Sequence, residues 1–417
     1  MRSLAGQSGA PRGLRPTGWW IEDRLFTEWR LTLYGSGVAI VYVVVLASLL
    51  FKGLWVILAD GNIAKIDFGY IWVSGKLARS SDPTRIFDSS AFAAAQLALI
   101  GSSGSPLIPY FVYPPTFLIF AYPLGFMPYF AAFTVWTVAT LALYEAAIYT
   151  IIPRPAAVIL ALTPSPVLFN LGLGQNGFLT AGLVAFSLAF TESRPWLSGI
   201  FLGLLTYKPQ FGVLFPVVLL ASRNWRALTG AAATSVVLGL TAAIAFGYQG
   251  WLSFIHSLVY RQPSLGEIPG WHPPLVSIFA FLQSVGASAD ISWTVHLVAA
   301  AMVAAAICAI WTKPIAHSLK AATLCIGSVM VTPYVLGYDL CVLSIAVAFL
   351  VKDALSRGFL PGERIAMLMC WVGLILLMAP LISIIICGVL LALAARRLVL
   401  GGEETLTAPR PVLNASL

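Results

Sequence analysis

The run LYGSGVAIVYVVVLASLLFKGLWVILA, residues 33–59, carries one charge, Lys52, near its end. Its uncharged part alone is about as long, as a helix, as a ~30 Å hydrocarbon core is thick. Directly after it comes GNIAKIDFGYIWVSGKLARSSDPTRIFD, residues 61–88, with seven charges: Lys65, Asp67, Lys76, Arg79, Asp82, Arg85 and Asp88. Only 10% of the chain is charged, so this polar island beside the first apolar run needs a reason.

Working outward, uncharged runs of about 18 residues or more recur along the 417 residues, 59% of which are hydrophobic. Soluble domains would instead show amphipathic helices with charged outer faces. The composition therefore predicts an all-α polytopic membrane protein. The formal charge of +8 comes from basic residues scattered in short loops, as retention at the cytoplasmic face predicts, and points to no nucleic-acid partner. The five cysteines, Cys308, Cys325, Cys341, Cys370 and Cys387, lie in apolar segments without metal-ligand spacing, and read as core fillers. The first span starts too late and runs too long for a cleaved signal peptide, and reads as a signal anchor.

Five arginines precede the first span, which sets the N-terminus inside and the island outside. Further spans are expected near 129–152, 155–172, 176–192, 196–207, 210–221, 227–247, 291–311, 319–336, 339–352, 364–378 and 381–395. That makes about twelve crossings with both termini cytoplasmic and most of the 24 lysines and arginines on that side. The organisation is a cytoplasmic segment 1–32, one multi-pass domain 33–397 with an outer loop 60–128, and a cytoplasmic tail 398–417. The localisation expected is a bacterial inner membrane, with the polar side in the periplasm.

The stretch WLSGIFLGLLTYKPQFGVLFPVVLLAS, residues 196–222, lies between Arg194 and Arg223 with Lys208-Pro209 in its middle. A broken hairpin whose apex reaches a polar cavity keeps both arginines inside, since irregular backbone at membrane depth needs cover from protein or water. Two shorter apolar segments, 113–128 and 272–288, contain double prolines and read as interfacial helices.

With this topology the polar residues converge outside: the island, LGQNG at 173–177, Lys208, a 248–274 loop that includes His272, and TPYVLGYDL at 332–340. Walker, HExxH, GxSxG and paired-cysteine metal motifs are absent from the sequence, which argues against an ATP-driven pump or a zinc protease. Carboxylates, aromatics and a lysine at an outer interface suit chemistry on a lipid-linked sugar. There a carboxylate acts as general base and cations stabilise a departing phosphate.

DFGYIWVSGKLARSSDPTRIFD, YPP at 113–115 followed by YPLGFMP, GQNG at 174–177, GLLTYKPQ at 203–210 followed by RNWRAL, and TPYVLGYDL at 332–340 resemble, in order, the motifs of glycosyltransferase family 87, or DUF2029. The resemblance implies a GT-C type architecture with interfacial helices in the first outer loop. It also implies inverting transfer of a hexose, best known as mannose, from a polyprenyl-phosphate donor to a lipid or polysaccharide acceptor. Asp67, matching the aspartate of the DF motif, is implied as general base, with Asp60 its rival and helix capping its ordinary alternative.

Lys208 is a candidate for phosphate binding, because an ionisable group within an apolar segment is costly; a structural ion pair or snorkelling would also account for it. Lys76 and Arg79 are further phosphate candidates, and Gln175, Asn176, His272, Tyr338 and Asp339 are candidates to line the substrate site. No essential metal or other cofactor is expected, since the island has no D-x-D triplet, although outer carboxylates leave a divalent cation open. The competing class is a transporter or flippase of a lipid-linked glycan, which broken helices would suit. Polarity heaped on one face counts against it.

Overall fold

The computed structural model describes residues 26–101, 110–260, 275–376 and 379–407. The first helix runs Glu28–Phe51, with the Thr27 hydroxyl accepting from the Arg30 N–H. It stops earlier than the expected Ala59. Lys52 caps it, Gly53 turns with φ +61°, and Leu54–Trp55 pairs antiparallel with Ile57–Leu58. Aromatic and β-branched residues favour such a ladder, and Trp55 Nε1 donates to the Gly172 carbonyl at 2.6 Å, pinning the ladder to the bundle.

Five described helices are long and apolar enough to cross a membrane: Glu28–Phe51, Tyr129–Ile151, Trp225–Phe246, Ala289–Trp311 and Pro380–Leu400. A sixth crossing results if Pro155–Ala161 and Ser165–Leu173, bent by 66° at their junction, count as one. The expected count of about twelve therefore exceeds what helix length supports. The expected span 155–172 is broken because Pro164 and Pro166 interrupt the helical hydrogen bonding. The last helix continues to Thr407, past the expected end at 395. The next proline after Pro380 is Pro409.

The stretch 196–222 is a hairpin in this structure. Helix Pro195–Leu204 gives way to short 3₁₀ turns on either side of Lys208, and a second helix follows at Leu214–Ala221. Asn224 Nδ2 donates to the Thr191 carbonyl at 3.0 Å, so the two feet stand together and Lys208 is at the apex. The double-proline segment 113–128 is no single helix. It makes three short turns, Pro115–Phe117, Leu118–Ala121 and Tyr122–Phe126, folded over helix Phe68–Ala78. A Cβ on Gly75 would meet the Ala121 carbonyl oxygen at 2.2 Å, and one on Gly125 would meet the Gly75 oxygen at 2.2 Å. Backbone lies on backbone there, which only glycine allows.

Helix Cys341–Arg357 runs between two buried polar clusters. Near its start Asp339 pairs with Lys208; near its end Asp353 joins Arg357, Arg397 and Glu363. At that second end Arg154 faces Glu28 and His317 faces Glu192, so charged loops gather there, away from the island. The cysteines are unpaired; four are buried and Cys308 is half-buried, as core fillers would be.

Candidate active site

The island contains three aspartates at helix starts, and they behave differently. Asp82 accepts from the Thr84 N–H at 3.1 Å and Asp88 from the Ala91 N–H at 2.8 Å, both ordinary N-caps. Asp67 precedes helix Phe68–Ala78 but makes no cap bond. Its carboxylate turns instead toward the bundle, where Gln175 Nε2 donates to Oδ2 at 2.7 Å. Among the described residues no cation pairs with it. Burial pushes the Asp67 carboxyl up from its ordinary range, and the Gln175 amide pulls it partly back. Asp60, the rival base, is exposed and braced by its neighbour Asn62 through the backbone N–H at 3.0 Å and the side-chain amide at 2.8 Å. These bonds hold its carboxyl below the usual range.

Gln175 is held in place by the turn it stands on. Gly174 adopts φ +66°, ending helix Ser165–Leu173 in a left-handed cap, and Trp136 Nε1 donates to its carbonyl at 3.0 Å. Asn170 Nδ2 donates to the Tyr338 carbonyl at 2.9 Å, while its Oδ1 accepts from the Gly177 N–H at 2.8 Å. One buried amide thus ties the GQNG turn to the TPYVLGYDL segment. Nothing in the sequence reading marks Asn170; its only sign is a polar residue in an apolar run.

Next to Gln175, the fully buried Asn176 reaches two ways. Its Nδ2 donates to the Tyr113 hydroxyl at 2.6 Å, and its Oδ1 accepts from Lys208 Nζ at 2.9 Å. Lys208 also donates to Asp339 Oδ1 at 2.5 Å, and both side chains are almost wholly buried. Asp339 Oδ2 accepts from the Leu336 N–H at 3.3 Å. The Lys208 ammonium also sits 4.8 Å from the centre of the Tyr338 ring. The structural ion pair weighed in the sequence is therefore present. Tyr113 belongs to the YPP motif, and its tyrosine marks it as a site residue only once Asn176 is seen to reach it.

The expected residues thus divide. Asp67, Gln175, Asn176, Lys208, Tyr338 and Asp339 meet at one end of the bundle. Lys76 and Arg79 do not join them: they follow Asp67 by nine and twelve positions, about 14 and 18 Å of helical rise. Lys76 Nζ stands 5.0 Å over the Trp72 ring, and Arg79 donates to the Gly125 carbonyl at 2.6 Å while stacking on Phe126. His272 lies outside the described residues. Among the described residues no group of three or more His, Cys, Asp or Glu side chains is placed to hold a metal ion.

A family model for glycosyltransferase family 87 matches residues 111–333, more than half of the chain. This chain belongs to glycosyltransferase family 87. No curated protein and no solved structure matches it. The matched region of this family 87 protein contains Tyr113, Gln175, Asn176 and Lys208, whereas Asp67 and Asp339 flank it on either side. Membership makes it a glycosyltransferase with a sugar donor and an acceptor as substrates, and sets a transporter aside.

Proposed function

We propose that this protein is an inverting hexosyltransferase. It moves a hexose, mannose by family resemblance, from polyprenyl phosphate to a lipid or polysaccharide acceptor at the periplasmic face of an inner membrane. One observation carries the reading. Asp67 occupies a helix-capping position yet leaves the cap unmade, and presents a desolvated carboxylate with Oδ1 unengaged among the described residues.

A general base has to be free to take a proton, and a raised pKa favours proton uptake. The acceptor hydroxyl oxygen attacks the sugar C1, its proton passes to Asp67, and the C1–O bond to the phosphate breaks with inversion. Polyprenyl phosphate leaves with the electron pair. Lys208 is the cation of the described cluster, and we assign it to the donor phosphate, with Asn176 and Tyr113 between that charge and the carboxylate side. Lys208 has a second part as the partner of Asp339, and the two parts are separable by the double variant described below. Lys76 and Arg79 support donor approach from the island surface rather than the transfer step.

The test is transfer of radiolabelled mannose from polyprenyl phosphate to membrane lipid extract by purified wild type and Asp67→Asn. General bases contribute about 10²–10⁴-fold, so the variant should lose at least about a hundredfold in turnover while melting at the wild-type temperature. Equal turnover in both proteins would remove Asp67 from the mechanism. Failure of the wild type with mannose and with every other labelled polyprenyl-phosphate sugar would sink the donor class.

A further inference from the structure

Helix Tyr129–Ile151 opens beside the site. Its first residue, Tyr129, lays its ring 5.4 Å from that of Phe68 and meets Trp72 edge-on at 5.3 Å. Phe68 directly follows Asp67, so the ring is set against the first turns of helix Phe68–Ala78, close enough for the Asp67 charge to act on it. Tyr129 is 4% exposed, and its hydroxyl is buried without a hydrogen-bond partner among the described residues. Other buried tyrosines of this end are satisfied. The Tyr70 hydroxyl donates to the Tyr110 carbonyl and accepts from the Val112 N–H, that of Tyr113 accepts from Asn176, and that of Tyr207 shares a 2.6 Å bond with Thr180.

A buried hydroxyl left unpaired costs stability, and such groups in native proteins call for an explanation. Phenylalanine at this position would keep both ring contacts and avoid that cost, so the hydroxyl has a use beyond packing. Asp67 Oδ1 is unengaged as well, because Gln175 occupies only Oδ2. The two groups need opposite partners: the carboxylate needs a donor, and the phenol O–H needs an acceptor. A single hydroxyl group is both. We infer that Tyr129 positions the acceptor hydroxyl, donating a hydrogen bond to its oxygen while that hydroxyl donates to Asp67 Oδ1. The contact rests on the general-base assignment above and adds to it what holds the nucleophile. A hydroxyl oxygen has two lone pairs; Tyr129 engages one, which leaves the other to attack the sugar C1. The acceptor proton passes to Asp67, the electron pair of the C1–O bond leaves with polyprenyl phosphate, and Tyr129 keeps its own proton throughout. A bond from Tyr129 straight to Asp67 would compete with the acceptor for Oδ1, and none exists among the described residues.

The test is Tyr129→Phe beside wild type and Asp67→Asn, in the labelled-donor assay above with membrane lipid extract as the source of acceptor. Tyr129→Phe should lower kcat/KM for the acceptor about fivefold, the worth of one hydrogen bond. Donor KM should stay at the wild-type value, and so should the acid limb of the pH profile, since the phenol does not bond the carboxylate. The variant should melt at or above the wild-type temperature, because it gives up no bond made on folding. A displaced acid limb would put the hydroxyl on Asp67 instead, and a lowered melting temperature would give it a structural partner; either result overturns the proposal. Unchanged kcat/KM for the acceptor would overturn it too, as expected of a hydroxyl that meets only water. If Tyr129→Phe matches wild type while Asp67→Asn is inactive, the base stands and only the role of Tyr129 falls. Full turnover in Asp67→Asn would remove both.

Discussion

Helix Cys341–Arg357 has a buried charge cluster at each end, and the two are built differently. At its end Asp353 accepts from Ser318 at 2.8 Å, from Arg357 at 2.5 and 3.0 Å and from Arg397 at 2.8 Å. Arg397 also grips both oxygens of Glu363 and donates to the Gly358 carbonyl at 2.9 Å. Two carboxylates meet two guanidinium groups there, and nearly every donor has a partner. At its start one ammonium meets one carboxylate, and a third ionisable group, Asp67, is hydrogen-bonded to an amide rather than paired with a cation. A closed set of charges fastens four segments together. The open set leaves one carboxylate over, and that one is available to react.

This contrast predicts that damage to the closed cluster shows as unfolding and damage to the open one as lost turnover. The largest effect should come from Arg397→Leu, which strands the buried Glu363 and takes one of its two guanidinium partners from Asp353. Breaking a buried pair typically costs about 3–5 kcal/mol, so the protein should melt far below wild type in detergent. Normal thermal stability would deny the cluster its fastening role. Next is Lys208→Met, which leaves Asp339 alone and should also destabilise, toward the lower end of that range because Asp339 retains its Leu336 N–H. Adding Asp339→Leu should restore the melting temperature. If the double variant also regains donor KM, Lys208 serves the fold alone; a donor KM that stays high assigns it to the phosphate.

A smaller effect is expected from Gln175→Leu. As the proposed base Asp67 works deprotonated, so turnover should fail as pH falls through its pKa, and burial raises that limb above the ordinary aspartate range. Removing the one hydrogen bond that lowers it should move the acid limb of kcat/KM to still higher pH. A limb that stays in place would mean another group is being titrated. Smallest of all is Asp88→Ala. It removes a cap on helix Ser89–Ile100 and should lower the melting temperature slightly with no change in turnover. A large loss of turnover would show that the island's caps share in the chemistry.

Much of the open cluster was legible in the sequence because its parts are local oddities: a lysine in an apolar run, a polar turn between apolar segments, an aspartate opening a helix. The break at Lys208-Pro209 was legible for the same reason. The pairing of Lys208 with Asp339 was not, since it joins positions 131 residues apart and packing alone brings them together. The closed cluster was invisible on the same ground. Asp353 and Arg397 stand 44 residues apart, and their pairing appears only once helix Pro380–Thr407 lies alongside. Fewer described helices qualify as crossings by length than composition suggests, because apolar composition reports burial in lipid or protein alike, and Gly177–Phe190 is apolar, short and almost entirely enclosed by protein. The ladder at Leu54–Leu58 was read as helix because its composition matches the span before it.

The distance in sequence between Lys208 and Asp339 sets a problem of timing. A ribosome adding ~5–20 residues per second needs roughly 7–26 s to make Asp339 after Lys208. Throughout that interval the hairpin apex carries a charge with no counter-ion, and at the middle of a bilayer a lysine costs about 2.5–3.5 kcal/mol on insertion scales. The buried ion pair that neutralises Lys208 therefore forms only after the C-terminal third of the chain has begun to be made. The cluster that holds Lys208, Asn176 and Asp339 is thus completed late in synthesis.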